Sequence, residues 1–192
     1  ISNKNYALLL EKIKKQLKDL EMEFNEEDKE DCANTVFKIA STNLFYSKIY
    51  ANMFYELYNN YIFMQPPLDK ALNIVIDTYK NIDSISNAND YNIFCNILKD
   101  NEKRLSLLTF IIYLMKKNLI SINKIIDIAL YLIKQIKLEK NKDDIEVFSQ
   151  NLLIIIKMTK SYIVETNYYD EIKDIIFSYC KKKPNDIITW KT

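Results

Sequence analysis

Apolar residues recur in steps of three and four along nearly the whole chain. From Asn5 to Phe24 they fall at Tyr6, Leu9, Leu10, Ile13, Leu17, Leu20 and Phe24, one stripe of an amphipathic helix. Lys12, Lys14, Lys15 and Lys18 lie mainly off that stripe and predict a solvated face. A second helix is expected behind the cap Asn25, with Glu26, Glu27 and Asp28 in a first turn where the helix dipole favours carboxylates. Its stripe is Cys32, Val36, Phe37 and Ile39–Ala40, and it stops at 41–43. A third helix, rich in aromatics, is expected from about Leu44 to Phe63, with Tyr50 and Met53 inside. Pro66 and Pro67 end that run, and Pro67 suits the first turn of a helix through Leu68, Leu72, Val75, Ile76 and Tyr79.

The stretch 83–90, dense in Ser, Asn and Asp, reads as a loop. Beyond it the period predicts helix over Tyr91–Leu98 and Lys103–Lys117, either as one long helix or as two broken near Asp100. Ser121 caps a helix whose inward stripe is Ile125, Ile128, Ala129, Leu132 and Ile136. After a charged turn at 138–142, Asp143 or Asp144 is expected to cap a helix through Val147, Phe148, Leu152, Ile155 and Ile156 to about Met158. A further helix over Tyr168–Lys182 turns Ile172, Ile175, Ile176 and Tyr179 inward, and its closing lysines suit the dipole. Pro184 stops it, and 187–192 reads as the first turn of another helix.

About eight helices joined by short polar turns, with every second one starting near 5, 45 and 88, give a period of roughly 40 residues, that of a HEAT-like array. The fold expected is therefore all-α: one domain over 1–192, a HEAT-like solenoid of antiparallel helix pairs, about four pairs plus the start of a fifth. A plain helical bundle is the alternative. Tetratricopeptide and ankyrin arrays fit less well, because their turns rely on glycine.

Composition narrows the function. The chain has no glycine and no histidine. Without glycine there is no Gly-rich phosphate cradle, nucleophile elbow or dinucleotide fingerprint. Without histidine there is no Ser-His-Asp or Cys-His pair and no imidazole metal ligand. A non-catalytic protein is expected, with no cofactor and no metal. Cys32, Cys95 and Cys180 are far apart, form no CxxC motif and read as small buried hydrophobes in a reducing compartment. The greasiest segment, Leu105–Met115, is shorter than the ~18 apolar residues of a spanning helix and ends at Lys116 and Lys117. No membrane partner is expected. The net charge of +1 gives no global pull towards nucleic acid, although Lys12–Lys18, Lys134–Lys142 and Lys181–Lys183 keep an RNA-binding module as a second reading. Heavy use of Asn, Ile, Lys and Tyr suggests an AT-rich coding sequence, as in a protist or a large DNA virus. The start at Ile1 suggests a fragment of a longer chain.

Two segments go beyond periodicity. Tyr46-Ser47-Lys48-Ile49-Tyr50-Ala51-Asn52-Met53 resembles the aromatic-Ser-x-x-Tyr-Ala-Asn-Met segment of the middle domain of eukaryotic translation initiation factor 4 gamma. Lys103-Arg104-Leu105-Ser106-Leu107-Leu108-Thr109-Phe110-Ile111-Ile112-Tyr113-Leu114 is similar to the basic segment leading into Asn-Ile-x-Phe-Ile-Gly-Glu-Leu in that domain. Leu107 stands where the family has Asn, and Ile112-Tyr113 stands where it has Gly-Glu. The acidic turn and helix from Asp143 to Met158 match in order and spacing. The resemblance implies a crescent of five HEAT-like helix pairs that grips a DEAD-box RNA helicase of the initiation factor 4A kind, acts in cytoplasmic translation initiation, and in some members touches RNA. Related domains serve splicing and mRNA decay, and other initiation factors would bind through the parent chain. Carried over by position, the contact residues it implies are Leu72, Asn73, Lys103, Arg104 and Phe110.

Overall fold

The computed structural model describes residues 4–21, 23–80, 82, 90–138 and 141–180, with the side chains of Leu20, Tyr179 and Cys180 excepted. These residues form eight α-helices and no strand: α1 (Tyr6–Glu21), α2 (Glu26–Ser41), α3 (Ser47–Asn60), α4 (Pro66–Ile74), α5 (Tyr91–Met115), α6 (Ile122–Leu138), α7 (Lys142–Ile163) and α8 (Tyr169–Cys180). Two short 3-10 turns, Ile62–Met64 and Asp77–Tyr79, follow α3 and α4.

Local chemistry sets the ends of these helices. Asn25 and Asp28 form a reciprocal capping box at the start of α2. The start of α3 falls at Ser47 rather than Leu44, because the Asn43 side chain accepts from the Tyr46 amide at 3.0 Å and turns the chain first. Phe45 is left 87% exposed as a result. Pro66 opens α4. That helix stops at Ile74, so Val75, Ile76 and Tyr79 lie in the turn beyond it rather than on one helical stripe. Of the two alternatives for α5, the continuous helix is the one observed: it runs unbroken through Asp100. The cap of α7 is Asn141, not either aspartate; Asp143 and Asp144 occupy its first turn, where their charge complements the dipole. The helix also continues past Met158 to Ile163. Apart from Asp90, the expected loop at 83–90 lies outside the described residues, as do the lysines 181–183, Pro184 and the turn at 187–192.

The C-terminus of α5 shows how a chain without glycine ends a helix. Asn118 takes the left-handed backbone at φ 62°. Its amide bonds the Met115 carbonyl at 2.8 Å, and the Leu119 amide bonds that of Leu114 at 3.1 Å. These are the two bonds of a Schellman cap, with asparagine in the place glycine usually takes.

Two compact units divide the chain, one from Ile1–Ile74 with Ser106–Ile120, the other from Val75–Leu105 with Ser121–Thr192. In the first, Leu10 and Leu17 of α1, Ala33 of α2, and Met53 and Leu57 of α3 form one core with Tyr61 and Met64. Of the stripe expected for α2, Ala40 is buried, Cys32 and Val36 pack against the core and Phe37 joins the rings described next, whereas Ile39 is 52% exposed; Ala33, outside that stripe, is buried. Met53 is buried as expected, whereas Tyr50 is only half-buried, packed against that core from its edge. A second cluster joins three rings edge to face: Phe37 to Phe54 (5.4 Å), Phe37 to Phe110 (5.7 Å) and Phe54 to Phe110 (5.6 Å). In the second unit, α6 and α7 pack along each other. The expected stripe of α6 is buried throughout, joined by Ile126 and Ile133. No helix among the described residues is long and apolar enough to cross a membrane.

Candidate partner-binding surface

The sequence-derived contact residues fall into three environments. Asn73 is exposed near the end of α4, between half-buried Leu72 and Ile74, which is 53% exposed. This is a small polar and apolar face open to solvent. Lys103 is exposed on α5 and pairs with Asp100 one turn earlier, at 2.7 Å. It lies well inside a long helix and not at a helix start.

Arg104 and Phe110 differ from these. The Arg104 Nε donates to the Thr78 carbonyl at 2.7 Å, and its Nη1 donates to Asn101 Oδ1. The guanidinium thereby ties the 3-10 turn Asp77–Tyr79 to α5, in a half-buried position. Phe110 has no exposed surface and belongs to the three-ring cluster with Phe37 and Phe54. A partner could reach it only after α5 had left its neighbours, so its reading as a contact is corrected here to that of a core residue. Leu72, Asn73 and Phe110 belong to the first unit, Lys103 and Arg104 to the second.

The turn that Arg104 holds is anchored a second time. Tyr79 is buried, donates its hydroxyl to Asn151 Oδ1 of α7 at 2.9 Å, and stacks obliquely on Phe148. Asn151 in turn donates to the Val147 carbonyl at 2.8 Å, so both ends of its amide are used. Burial pushes the Tyr79 phenol far above the usual tyrosine range, against the pull of the nearby Arg104 charge. Beside this network a cleft of about 360 Å³ opens between α5 and α7, lined by Leu98, Asn101, Glu102, Leu105, Val147 and Asn151 among others.

A larger cleft of about 640 Å³ lies in the first unit, where Pro66, Pro67 and Lys70 face α2 and the exposed Ile62. Most of its charges are paired within it, Lys70 with Glu30 at 2.6 Å and Lys29 with Glu26 at 2.8 Å, and Glu21 also lines it. Among the described residues no three His, Cys, Asp or Glu side chains gather where a metal could sit. The thiols of Cys32 and Cys95 are free, and burial pushes that of Cys32 up, away from reactivity.

One group of side chains was missed by reasoning from the sequence. Just beyond α5, Lys117 lies over the Tyr55 ring of α3 and Lys116 over that of Tyr113, with Lys48 of α3 near enough for its charge to act on Lys116. Its trace in the sequence is the Lys116-Lys117 pair ending an apolar run that carries no carboxylate. Compared with known proteins, the chain matches no family model, no curated protein and no solved structure.

Proposed function

We propose that the chain is a non-catalytic scaffold whose helices stack as HEAT-like antiparallel pairs, and that it binds and stimulates a DEAD-box RNA helicase in the manner of the initiation factor 4 gamma middle domain. The observation that carries this reading is the environment of the segment Tyr46–Met53. Three of its motif residues, Ser47, Ala51 and Met53, are buried, and Tyr50 is packed at the core's edge. The residues shared with the family motif are thus those that fix how α3 packs, which favours a shared architecture over a chance match of surface residues. The starts of α1, α3 and α5, at Tyr6, Ser47 and Tyr91, recur at intervals suited to a repeat of helix pairs.

In this reading the open end of α4, Leu72, Asn73 and Ile74, offers contacts in the first unit and Lys103 in the second, while Arg104 ties α5 to the turn at Thr78 and Phe110 packs α5 on Phe37 and Phe54. The scaffold acts by population shift: it favours one arrangement of the helicase lobes only to the extent that it binds that arrangement more tightly. Isothermal calorimetry and ATP turnover with a DEAD-box helicase from the same source test this. Binding, a rise in turnover, and the loss of both in Asn73→Arg/Lys103→Glu at unchanged melting temperature are expected. A helicase that neither binds nor responds would sink the proposal.

A further inference from the structure

Lys48 near the start of α3 lies close enough to Lys116 for their charges to repel, and Lys117 beside it sits over the Tyr55 ring of α3, a concentration of positive charge that no described ion pair balances. Among the described residues no carboxylate pairs with Lys48, Lys116 or Lys117. The only carboxylate on α3, Glu56, is taken by Lys14 of α1 at 2.9 Å, and residues 106–120 contain none. The first turn of α3 holds Lys48 and no acid, although the dipole at a helix start repels a cation. Burial, and then the charge of Lys48, pushes the half-buried Lys116 ammonium below its ordinary range. The end of a helix does favour Lys116 and Lys117, but that does not explain the third lysine brought against them. The Schellman cap at Asn118 fixes the backbone on which both sit. Just ahead of Lys48, Phe45 and Tyr46 stand exposed at 87% and 39%, their rings edge to face at 4.8 Å.

We infer that this lysine–tyrosine surface, with Phe45 and Tyr46 beside it, binds a short acidic peptide segment of a partner protein, the carboxylates meeting Lys48, Lys116 and Lys117 and an apolar residue resting on the exposed rings. A peptide fits better than a nucleic acid for two reasons. The chain's net charge of +1 gives none of the long-range attraction on which phosphate-backbone binding depends. The rings under the lysines, Tyr55 and Tyr113, are half-buried rather than open for bases to stack, and the exposed Phe45 and Tyr46 meet edge to face instead of presenting parallel faces. The inference does not rest on the helicase reading.

Fluorescence polarisation with a labelled octapeptide of Asp and Glu around one central Leu tests it, with a Lys-for-acid peptide and a labelled oligouridylate as controls. The acidic peptide should bind at ~0.1 mM, and Lys48→Gln/Lys116→Met/Lys117→Gln should weaken it about tenfold, as the joint loss of three weak charge contacts implies. The triple variant should melt no lower than the wild type, since it removes mutual repulsion. Lys48→Glu alone, at an exposed site, should reproduce part of the loss if the triple variant folds poorly. Equal binding by wild type and Lys48→Glu, no binding at 1 mM peptide, or tighter binding of oligouridylate than of the peptide would overturn the inference.

Discussion

Tyr79 and Asn151 lie 72 positions apart in the chain, yet a buried hydrogen bond of 2.9 Å joins the phenol of one to the amide oxygen of the other. It links the 3-10 turn after α4 to the middle of α7, and Asn151 also bonds the Val147 carbonyl. Removing only the hydroxyl, in Tyr79→Phe, strands a buried acceptor and should destabilise the protein by ~1–3 kcal/mol in urea unfolding. Tyr79→Phe/Asn151→Leu should cost less than the sum of the single changes, because neither polar partner is then left unsatisfied. Strict additivity would mean that the two residues act separately.

The same burial sets an alkaline limit. The folded phenol titrates above its unfolded value of ~10, so the neutral form is the one the fold retains. The sign follows: its contribution is complete below pH ~10 and is lost as the pH rises beyond it, because the unfolded chain ionises first. Stability measured from pH 8 to 11 should fall at the upper end, and the fall should be shallower in Tyr79→Phe. Parallel profiles for the two proteins would show that other groups set the limit.

The elements whose two helical faces differ most were the easiest to read in the sequence. The α6 stripe was legible residue by residue, since Ile125, Ile128, Ala129, Leu132 and Ile136 alternate with lysines and polar residues that must face water. The capping box at Asn25 was legible in its cap, because a small acceptor before three acids leaves little choice. Ile39 was misplaced because it stands at the border of the α2 stripe beside Ala40, and apolar type does not show which of two adjacent residues turns inward. The Asn141 cap was missed for a similar reason: Asn and Asp both cap well, and propensity does not choose between adjacent candidates. Within the candidate site, the exposure of Asn73 and Lys103 follows from their type. The ties of Arg104 to Thr78 and of Tyr79 to Asn151 are long-range pairings that no local pattern encodes.

Arg104 and Lys103 are neighbours with opposite consequences. Arg104→Ala removes the tie from α5 to the Thr78 carbonyl and should cost ~1–2 kcal/mol, the range of a charge-assisted bond at a half-buried site. Arg104→Lys should restore little of it, because an ammonium lacks the fork that reaches both Thr78 and Asn101. Lys103→Glu, at an exposed ion pair, should leave the melting temperature within ~2 °C of the wild type. Equal effects from both changes would mean that Arg104 is no more structural than its neighbour.

Phe110 and Tyr50 offer a comparison of burial at nearly constant side-chain size. Phe110→Ala removes one fully buried ring of the three-ring cluster and should cost ~3–5 kcal/mol. Tyr50→Ala, at the edge of its core, leaves a site that solvent can fill and should cost less than half as much. Equal losses in thermal denaturation would show that Tyr50 is held more tightly than its exposure suggests.

Asn118 tests the physics of a helix end made without glycine. Its φ of 62° lies where a β-carbon crowds the backbone, a strain of ~1–2 kcal/mol for most residues that asparagine bears better than others and glycine does not feel. Asn118→Gly should therefore leave stability unchanged or raise it slightly, the entropy gained by the unfolded chain offsetting part of the relief. Asn118→Ala should lower stability by ~1 kcal/mol, and Asn118→Val by more, because a branched β-carbon is the least tolerated there. The consequence extends beyond stability. The bonds from Asn118 and Leu119 to the Met115 and Leu114 carbonyls fix the turn that carries Lys116 and Lys117. Asn118→Val should therefore weaken acidic-peptide binding as well as lower the midpoint of unfolding, whereas Asn118→Gly should preserve both. A valine variant that unfolds earlier yet binds the peptide as well as the wild type would separate the cap from the placement of the two lysines.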